Sequence, residues 1–564
     1  MKKIPYGVSN FKTIIDDGAL YIDKTKYIKI LEDNYTKYTI LLRPRRFGKS
    51  LFVSTLWYYY DERFKDEFDN LFGNTFIGKN PTKERNSYRV LFLEFSGIDV
   101  QKGVDFIYES FSFNMQTKIT SYLETYNYPK ELIKEIRLMK DPTNIMRRFF
   151  EITQNDKIYL LIDEYDQFAN AVLAYDMDMF LKIVGKGGFV RSFYEVLKGA
   201  TQIGNLHKMF ITGVTPITLD SLSSGFNIIK SISQKEKFNE LAGFNEEDIR
   251  FLIKEFLTPK CPNIDVENLM NQLKKLYNGY KFNIKVENRI YNSTMVNFFL
   301  SEFDTKRCEF PARLLDPNVA SDYGIIMKLF NIGNREKNFE ILNQLITKNE
   351  VLGTLKARFD LEKGFFDDDF ITLIYSMGFI TFKEELFGDS SLFEIPNYMM
   401  KVLYFNYFAK EIELLGDLKI EVDIGNILIK LALGDTKPFM KQLETVVKIL
   451  SNRDFMKFDE KYFHTIALSL LSFATYYYIE SQKEIDTKYP DIVVTGRKPF
   501  EKKIKYNYMF ELKWATDKTF ESKKSLAIEE LKEYQNLPNI KEIKNLYSYA
   551  IIGSKNKVEI IEII

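Results

Sequence analysis

Residues 38–52 read YTILLRPRRFGKSLF, and this stretch decides the fold of the first part of the chain. The apolar run 38–42 predicts a short buried strand, and a helical pattern begins near Lys49. Between strand and helix, Gly48-Lys49-Ser50 is typical of a phosphate-binding loop, whose backbone amides and helix N-terminus cradle phosphates. In such a loop Lys49 would reach the β- and γ-phosphates, and the Ser50 hydroxyl would ligate Mg²⁺.

Three arginines crowd this loop. Arg43 stands where the phosphate-binding motif has its first glycine, so an ordinary strand-turn-helix with a basic loop is the alternative interpretation. Arg43, Arg45 and Arg46 would either neutralise charge on a transferred phosphoryl group or form salt bridges with acids such as Asp163 and Asp166. The residue types alone leave both roles open.

A second motif strengthens the phosphate-binding interpretation. Residues 159–164 read YLLIDE, an apolar strand that ends in Asp163 and Glu164, as a Walker B strand does. Asp163 would hold magnesium through water, and Glu164 would polarise the attacking water. The chain before it has room for another β-α unit, beginning with a strand at 90–95. The alternative is a strand capped by two solvated acids.

A third predicted strand, 208–211, is followed by Thr212. This threonine would touch the γ-phosphate or the attacking water, or it would be a turn residue that satisfies its own backbone. Glu164 is the predicted catalytic residue of this site, and Ser50 and Asp163 are its predicted metal ligands. The predicted nucleotide-binding residues are Arg43, Arg45, Arg46, Gly48, Lys49, Ser50, Leu51, Asp163 and Thr212.

A second candidate site lies near the end of the sequence. Pro490-Asp491 begins one apolar strand, and Glu511-Leu512-Lys513 lies in another, where strand periodicity puts Glu511 and Lys513 on one face. Asp491 and Glu511, with the Leu512 carbonyl, offer hard oxygen ligands to Mg²⁺, which stabilises charge on a scissile phosphate and lowers the pKa of bound water. Lys513 would hold that water in line. The alternative is a half-buried strand with a Glu–Lys pair on its wet face.

The surroundings of this second site are charged. Glu460 on the preceding helix would add a carboxylate, although a solvated helix face is the better interpretation. Several lysines would either contact backbone phosphates or form an ordinary solvated face. They are Lys502, Lys503, Lys505, Lys518, Lys523 and Lys524.

A chain of 564 residues is too long for one hydrophobic core, so two or three domains are expected. Alternating apolar strands and helices predict an α/β domain with a parallel sheet over residues 1–235. Residues 236–450 are predicted to be mostly helical, with short strands within 370–387. Residues 451–564 are predicted to form a separate α/β unit with a helix at 460–479, strands at 491–495 and 506–514, a helix at 522–535 and a last strand at 546–552.

Charge and targeting signals narrow the class of protein. A net charge of +1 gives no overall attraction to nucleic acid or membranes. The N-terminus lacks an apolar signal segment, and the uncharged run 462–479 is interrupted by polar residues, so no membrane span is expected. Two cysteines give no disulfide framework. We therefore expect a cytoplasmic protein.

Four segments resemble the bacterial AAA-ATPase-like family, which typically carries a PD-(D/E)XK nuclease-like domain at its C-terminus. The resemblance covers about 4–235 and 450–560, and the replaced first glycine is usual in that family. LYNGYKF at 276–282 is similar to its middle region. The four segments are 21–25, 43–50, 162–166 and 212–216.

This resemblance implies a P-loop NTPase domain, a helical lid or relay, and a restriction-endonuclease-like domain, with ATP and Mg²⁺ as cofactors and DNA or RNA as partner. Such nuclease families often have Gln and Tyr one turn apart on the next helix, whereas Glu530 precedes Tyr534 here. A negative residue there would repel a phosphodiester.

The leading hypothesis is an ATPase whose second domain cuts or binds nucleic acid, in DNA metabolism or in defence against mobile DNA. Two alternatives stay open. One is a nucleotide-dependent switch for partner binding, with an inert nuclease fold. The other is a scaffold in which Arg43 has abolished nucleotide binding.

Overall fold

A computed structural model describes residues 2–563 except 35–36, 96, 99, 101, 218–227, 358, 360–363, 418–419, 452–457, 482–489 and 556. The chain forms two compact units. Unit 1 comprises Met1–Ser301, Lys328–Arg335 and Leu352–Pro396, and unit 2 comprises Glu302–Met327, Glu336–Val351 and Asn397–Ile564. Residues of the predicted middle region are therefore divided between the two units.

Unit 1 is built on a parallel sheet with the strand order β2-β3-β4-β1-β5. Every pairing in it is parallel, and every residue of the third strand is buried, which explains its continuous apolar sequence. The predicted α/β class and the four predicted strands are confirmed. The strands are β1 (Tyr38–Leu42), β2 (Arg89–Glu94), β3 (Ile158–Asp163), β4 (Leu206–Gly213) and β5 (Lys230–Ser231).

Helices connect these strands, and several of them bury a single face. For example, the helix after Gly188 buries Val190, Phe193, Leu197 and Ala200, at the three- and four-residue spacing of a single helical face. The helices up to residue 302 are α1 (Phe11–Asp16), α2 (Lys26–Asp33), α3 (Lys49–Tyr60), α4 (Phe68–Phe72), α5 (Phe76–Lys79), α6 (Val104–Thr125), α7 (Lys130–Leu138), α8 (Pro142–Ile152), α9 (Gln167–Tyr175), α10 (Met177–Val184), α11 (Phe189–Gln202), α12 (Glu246–Leu252), α13 (Val266–Tyr277) and α14 (Ser293–Glu302).

The predicted middle region is mostly helical, as expected, and one of the three strands described there lies within the predicted range 370–387 while the other two lie outside it. The three strands are β6 (Val351–Thr354), β7 (Thr381–Glu385) and β8 (Ser390–Glu394), in the sheet order β6-β8-β7. The first part of the predicted strand region 370–387 is helical instead, because three acidic residues begin a helix at Asp367. The helices here are α15 (Pro317–Ile326), α16 (Arg335–Lys348), α17 (Asp367–Ser376), α18 (Tyr398–Gly416), α19 (Ile420–Ala432) and α20 (Lys437–Ser451).

The C-terminal part of unit 2 contains a mixed sheet with the order β13-β12-β11-β10-β9. The predicted helix 460–479 is wrong in its second half, since the helix ends at Leu471 and the aromatic run from Tyr477 forms a strand. A further strand follows the one predicted as last. The elements are α21 (Glu460–Leu471), β9 (Tyr477–Ser481), β10 (Ile492–Gly496), β11 (Asn507–Trp514), α22 (Phe520–Gln535), α23 (Pro538–Lys541), β12 (Leu546–Gly553) and β13 (Val558–Ile563).

Two expectations about the chain as a whole can be compared with the structure. Within the described ranges, no helix has the length and apolarity needed to cross a bilayer. Cys261 and Cys308 are both disulfide-bonded, which the sequence analysis did not predict.

Candidate nucleotide and nucleic-acid sites

The predicted phosphate-binding loop and the acidic strand end lie at the same edge of the unit 1 sheet. β4 lies between β1 and β3 and pairs with both in parallel. Because the three strands run in one direction, the loop after β1 and Asp163 at the end of β3 meet at the carboxyl edge, where α/β sheets bind ligands. Burial lowers the pKa of Lys49, and the nearby carboxylates of Glu164 and Asp163 oppose that shift. The fold therefore brings Lys49, Asp163 and Glu164 together.

The loop backbone turns through two left-handed residues. Arg46 has φ 70°, and Gly48 has φ 88° and ψ 21°. Glycine adopts this conformation without a steric penalty, whereas a residue with a side chain loses about 1 kcal/mol or more. Turns of this kind aim successive backbone N–H groups into one concavity that binds anions. α3 begins directly after Gly48 and adds the amides of its first turn, which contains Ser50 and Leu51.

Lys49 is buried inside this loop. Its ammonium donates hydrogen bonds to the carbonyls of Arg43 and Pro44, each at 3.0 Å. The residue is only 4% exposed. A buried charge is stabilised by an opposite charge. A bound phosphate would place a negative charge against the Lys49 ammonium, which these two neutral carbonyls do not.

The side chain of Arg43 points into the protein and braces a neighbouring segment. Its guanidinium donates to the carbonyls of Leu42 at 2.9 Å, Ser233 at 2.6 Å and Phe238 at 2.8 Å. It also lies over the ring of Phe282, 4.0 Å from the centroid. Burial lowers its pKa to about 10. The guanidinium is thus engaged by the protein, and the Arg43 amide donates to the Gly213 carbonyl at 3.1 Å. The predicted contact of Arg43 with the nucleotide therefore stays a prediction.

The second half of the loop is held by residues that the sequence analysis did not assign to the site. The ring of Phe47 packs edge-on against Tyr280 and Phe282, with centroids 4.8 and 5.4 Å away. The carbonyl of Arg46 accepts a hydrogen bond from the hydroxyl of Ser293 at 3.2 Å. Tyr280 and Phe282 belong to the LYNGYKF segment, which the sequence singled out only by resemblance. Its physical role is to support the loop.

The acidic side of the site is a strained turn organised by Thr212. Glu164 has φ 51°, a left-handed value that costs a side-chain-bearing residue about 1–3 kcal/mol and persists where the surroundings hold it. The Thr212 hydroxyl accepts from the Glu164 amide at 3.3 Å and donates to the carboxylate of Asp163. The Tyr165 amide donates to the Thr212 carbonyl at 2.9 Å. Thr212 therefore positions both acids, and its contact with the γ-phosphate stays a prediction.

Asp166 is a structural residue of the site that the sequence named only as a partner for the loop arginines. It is 1% exposed, and its carboxylate accepts from the amides of Val214 and Thr215, the Thr215 hydroxyl at 2.8 Å and the Asn170 amide at 2.7 Å. These bonds tie the turn after β3 to the end of β4. A run of polar residues after a strand was the available signal, but their pairing is not visible in sequence.

The electrostatics assign different roles to Glu164 and Arg45. Burial raises the pKa of Glu164, Asp163 raises it further, and Lys49 and Arg45 lower it. A carboxylate whose pKa is raised towards neutrality accepts a proton more readily, which suits a general base. Arg45 also lowers the pKa of Lys49. The charge of Arg45 therefore acts on both Lys49 and Glu164 at the carboxyl edge of the sheet.

In unit 2, the register of the sheet places Asp491 next to Glu511. Ile492 pairs with Phe510 in the antiparallel β10–β11 ladder, so the preceding and following residues stand opposite each other. The Asp491 amide donates to Glu511 Oε2 at 3.4 Å, and the Leu512 amide donates to Asp491 Oδ2 at 2.8 Å. Both predicted metal-binding carboxylates therefore lie together.

Lys513 lies on the same face and contacts two carboxylates. Its ammonium is 2.6 Å from Glu511 Oε1 and 2.8 Å from Glu530 Oε2. Burial raises the pKa of Glu511 and the neighbouring Asp491 raises it further, whereas Lys513 opposes the shift. Burial alone would lower the pKa of Lys513, but Glu511 and Glu530 raise it overall. Glu530 was identified from the sequence as the residue in the expected glutamine position, and its ion pair with Lys513 is new.

Two neighbouring residues have roles of their own. Tyr534, one turn after Glu530 on α22, is buried, and burial together with the charge of Glu511 raises its pKa. Glu460 accepts from the Trp514 amide at 3.1 Å and pairs with Lys523 at 3.1 Å, so it caps the end of β11. Lys523 is therefore neutralised by a local acid.

A metal ion at this site would rely on few protein ligands. Across the part of the chain that the structure describes, no three Asp, Glu, His or Cys side chains are grouped to hold a metal ion. Asp491 and Glu511 supply two carboxylates, so water or phosphate oxygens would complete the coordination of a hard cation.

Comparison with known families identifies both domains. Residues 5–223 match the model of the AAA-ATPase-like family, whose description is "Predicted AAA-ATPase". Residues 458–563 match that of the PD-(D/E)XK nuclease superfamily. The chain carries an AAA-ATPase-like domain and a PD-(D/E)XK nuclease superfamily domain. The first match contains the loop, both acids and Thr212, and the second contains Asp491, Glu511, Lys513 and Glu530.

Individual relatives add little beyond the families. The chain is 26% identical over 292 residues to an uncharacterized protein from the vnfD 5′ region of Azotobacter chroococcum mcd 1, and the match spans 50% of this chain and 49% of that protein. It is also similar to a Walker-type ATPase of Pyrococcus abyssi, with 12% identity and a TM-score of 0.37 over 68% of this chain and 94% of the other. The residues that support the phosphate-binding loop lie outside the matched segment 5–223; they are Tyr280, Phe282 and Ser293.

Proposed function

We propose that the AAA-ATPase-like domain binds and hydrolyses ATP and that the nuclease-like domain binds or cuts DNA or RNA with the help of Mg²⁺. The observation that carries this proposal is the convergence of Lys49, Asp163 and Glu164 at one edge of a single parallel sheet. A role in DNA metabolism or in defence against mobile DNA follows from the pairing of these two domains. We place the protein in the cytoplasm, where ATP is available.

The residues of the first site divide the work of hydrolysis. The loop amides and Lys49 would bind the phosphates, and Glu164 would take a proton from the attacking water. Asp163 is buried and Glu164 beside it is half-buried, and their charges repel, since Asp163 raises the pKa of Glu164. A divalent cation held by Ser50 and Asp163 would offset that repulsion, so the residues fit Mg²⁺, which stabilises the charge of the phosphates.

ATP binding and hydrolysis are separable by substitution. Lys49→Ala is expected to weaken binding of a fluorescent ATP analogue, whereas Glu164→Gln is expected to bind it and lose phosphate release. Lys134→Ala, which changes an exposed lysine of α7, is the control and should match the parent in both assays. Hydrolysis by Lys49→Ala at the parental rate would end the proposal for this domain.

The nuclease-like site would act through Asp491, Glu511 and Lys513. The two carboxylates fit a hard cation, which would stabilise charge on the scissile phosphate, and Lys513 would orient the attacking water. Plasmid nicking with Mg²⁺ or Mn²⁺ tests this, with Lys513→Ala expected to lose the cleavage that the parent shows. Lys541→Ala, at an exposed lysine of the same domain that was not a candidate for phosphate contact, is the control.

A second candidate function is a nucleotide-dependent switch with an inert nuclease fold. It is favoured by the ion pairs that hold Lys513 between Glu511 and Glu530. No nicking with any metal or nucleotide, together with an ATP-dependent change in protease sensitivity, would support the switch. Nicking that depends on Lys513 would exclude it.

A further inference from the structure

Glu530 is fixed beside the nuclease-like site by the packing of its helix. α22 buries Ala527, Leu531 and Tyr534 on one face, at the spacing of successive helical turns. Glu530 borders that face, and its side chain is 30% exposed. The helix therefore fixes where the carboxylate stands, and the ion pair with Lys513 at 2.8 Å follows from this position.

Two carboxyl groups share one ammonium at this site, and Asp491 adjoins them from the neighbouring strand. Lys513 is shared between Glu511 and Glu530, and Asp491 donates its amide to Glu511 from the neighbouring strand. An incoming phosphodiester brings further negative charge. It must draw Lys513 away from Glu530 and also approach the Glu530 carboxylate.

We propose that Glu530 is a positioning residue that restrains Lys513 and thereby weakens the binding of nucleic acid to this domain. The proposal rests on the proposed function of this site. Glu530 acts through Lys513 and not on the reacting atoms. A like charge about 5 Å away in a half-exposed site changes affinity by about tenfold, which sets the size of the effect.

The substitution Glu530→Gln removes the charge and keeps the shape. Glu529→Gln is the matched control, because Glu529 is its exposed neighbour on α22 and the change in net charge is the same. Glu530→Asp keeps the charge and serves as the conservative variant. All variants are made in the full chain, and thermal unfolding reports whether each is folded.

Two measurements on these proteins test the proposal. The first is the fluorescence anisotropy of a labelled DNA duplex in Ca²⁺, followed by plasmid nicking in Mg²⁺. The second is the acylation rate of the Lys513 amine without nucleic acid, measured by mass spectrometry. Glu530→Gln is expected to bind the duplex about tenfold more tightly, to nick at lower DNA concentration and to acylate Lys513 several-fold faster. Glu529→Gln and Glu530→Asp should stay within twofold of the parent in both measurements. If Glu530 had only a structural role, Glu530→Gln would lose DNA binding and not gain it.

The two assays separate the failure of this inference from the failure of the proposed function. Unchanged acylation of Lys513 in Glu530→Gln would overturn the restraint, whatever the DNA result. A parent that binds DNA no worse than Glu530→Gln would overturn the effect on affinity. Faster acylation without DNA binding by any variant would support the restraint of Lys513 and refute the nucleic-acid function of the domain.

Discussion

Replacing Arg43 by glycine would restore the first glycine of the phosphate-binding motif, yet the structure predicts damage. The guanidinium of Arg43 donates to three backbone carbonyls, of which those of Ser233 and Phe238 are remote in sequence. It also covers the ring of Phe282 at 4.0 Å. Arg43→Gly removes all of these contacts at once, and Arg43→Met removes the hydrogen bonds while keeping much of the volume.

The expected magnitude follows from those contacts. Hydrogen bonds from a charged donor contribute about 1.5–3 kcal/mol each, so losing two remote ones costs about 3–6 kcal/mol. Burying the guanidinium has its own desolvation cost, seen in its lowered pKa, and Arg43→Met relieves that cost. We therefore expect Arg43→Met to destabilise unit 1 by about 2–4 kcal/mol, which lowers an apparent Tm by roughly 5–10 °C. Arg43→Gly should lose more, because it also leaves a cavity.

Thermal unfolding measures the loss of stability, and titration with a fluorescent ATP analogue measures the loss of binding. The titration is made at a temperature where every variant is folded. Arg137→Met is the matched control, because the Arg137 side chain is 57% exposed and pairs only with Glu124 among the contacts described for it. Its effect should stay within about 0.5 kcal/mol. Arg43→Gly is expected to weaken ATP binding, since the loop loses its brace.

One result would refute this reasoning. If Arg43→Gly unfolds at the parental temperature and binds the ATP analogue more tightly than the parent, Arg43 is not a brace. It would then be an obstacle in an otherwise ordinary phosphate-binding loop.

Three further predictions concern the acidic side of the site in the AAA-ATPase-like domain. The pKa of Glu164 is raised, and a general base must be deprotonated to act. We therefore expect kcat/KM for ATP to fall at acidic pH, with an apparent pKa above the ordinary glutamate value. An apparent pKa at or below that value would contradict this. Thr212→Val should keep ATP-analogue binding within a few-fold but slow phosphate release about tenfold or more, because the hydroxyl positions Asp163 and Glu164; unchanged phosphate release would exclude that role. Asp166→Asn should destabilise the protein by about 2–4 kcal/mol in thermal unfolding, since its carboxylate accepts two backbone amides, and an unchanged Tm would show that these bonds contribute little.

The elements that the sequence predicted well are those whose own residues determine them. β1 and β3 are short, continuous apolar runs bounded by charged residues, and parallel strands buried on both faces have that pattern. β11 was predicted although Glu511 and Lys513 interrupt its apolar residues, and strand periodicity correctly placed these two residues on a common face. Local pattern was sufficient in these cases.

The errors arose where one local pattern fits two structures. The apolar run from Tyr462 to Ile479 has no charge or proline to divide it, so it was predicted as one helix. The chain ends the helix at Leu471 and starts β9 at Tyr477, where aromatic residues pair with a neighbouring strand. Such pairing is a tertiary effect that competes with helix formation.

The contacts of the site were less predictable than its residues. Lys49, Asp163 and Glu164 were identified from motifs, whereas the brace from Arg43 to Phe238 and the ion pair from Lys513 to Glu530 join distant parts of the chain. The residue types alone do not show which groups the Arg43 and Lys513 side chains contact; the fold determines that. The loop arginines were left with two roles for that reason, and the structure separates Arg43 from Arg45.

The dependence of the phosphate-binding loop on Tyr280, Phe282 and Ser293 has a practical consequence for dissecting this protein. An excised fragment that stops near residue 235 would keep every motif residue but expose the ring of Phe47 and lose the hydroxyl that bonds to the Arg46 carbonyl. Such a fragment would fail to bind nucleotide for reasons unrelated to its motifs. Fragments intended to report on the AAA-ATPase-like domain alone should therefore extend through residue 396, the end of unit 1.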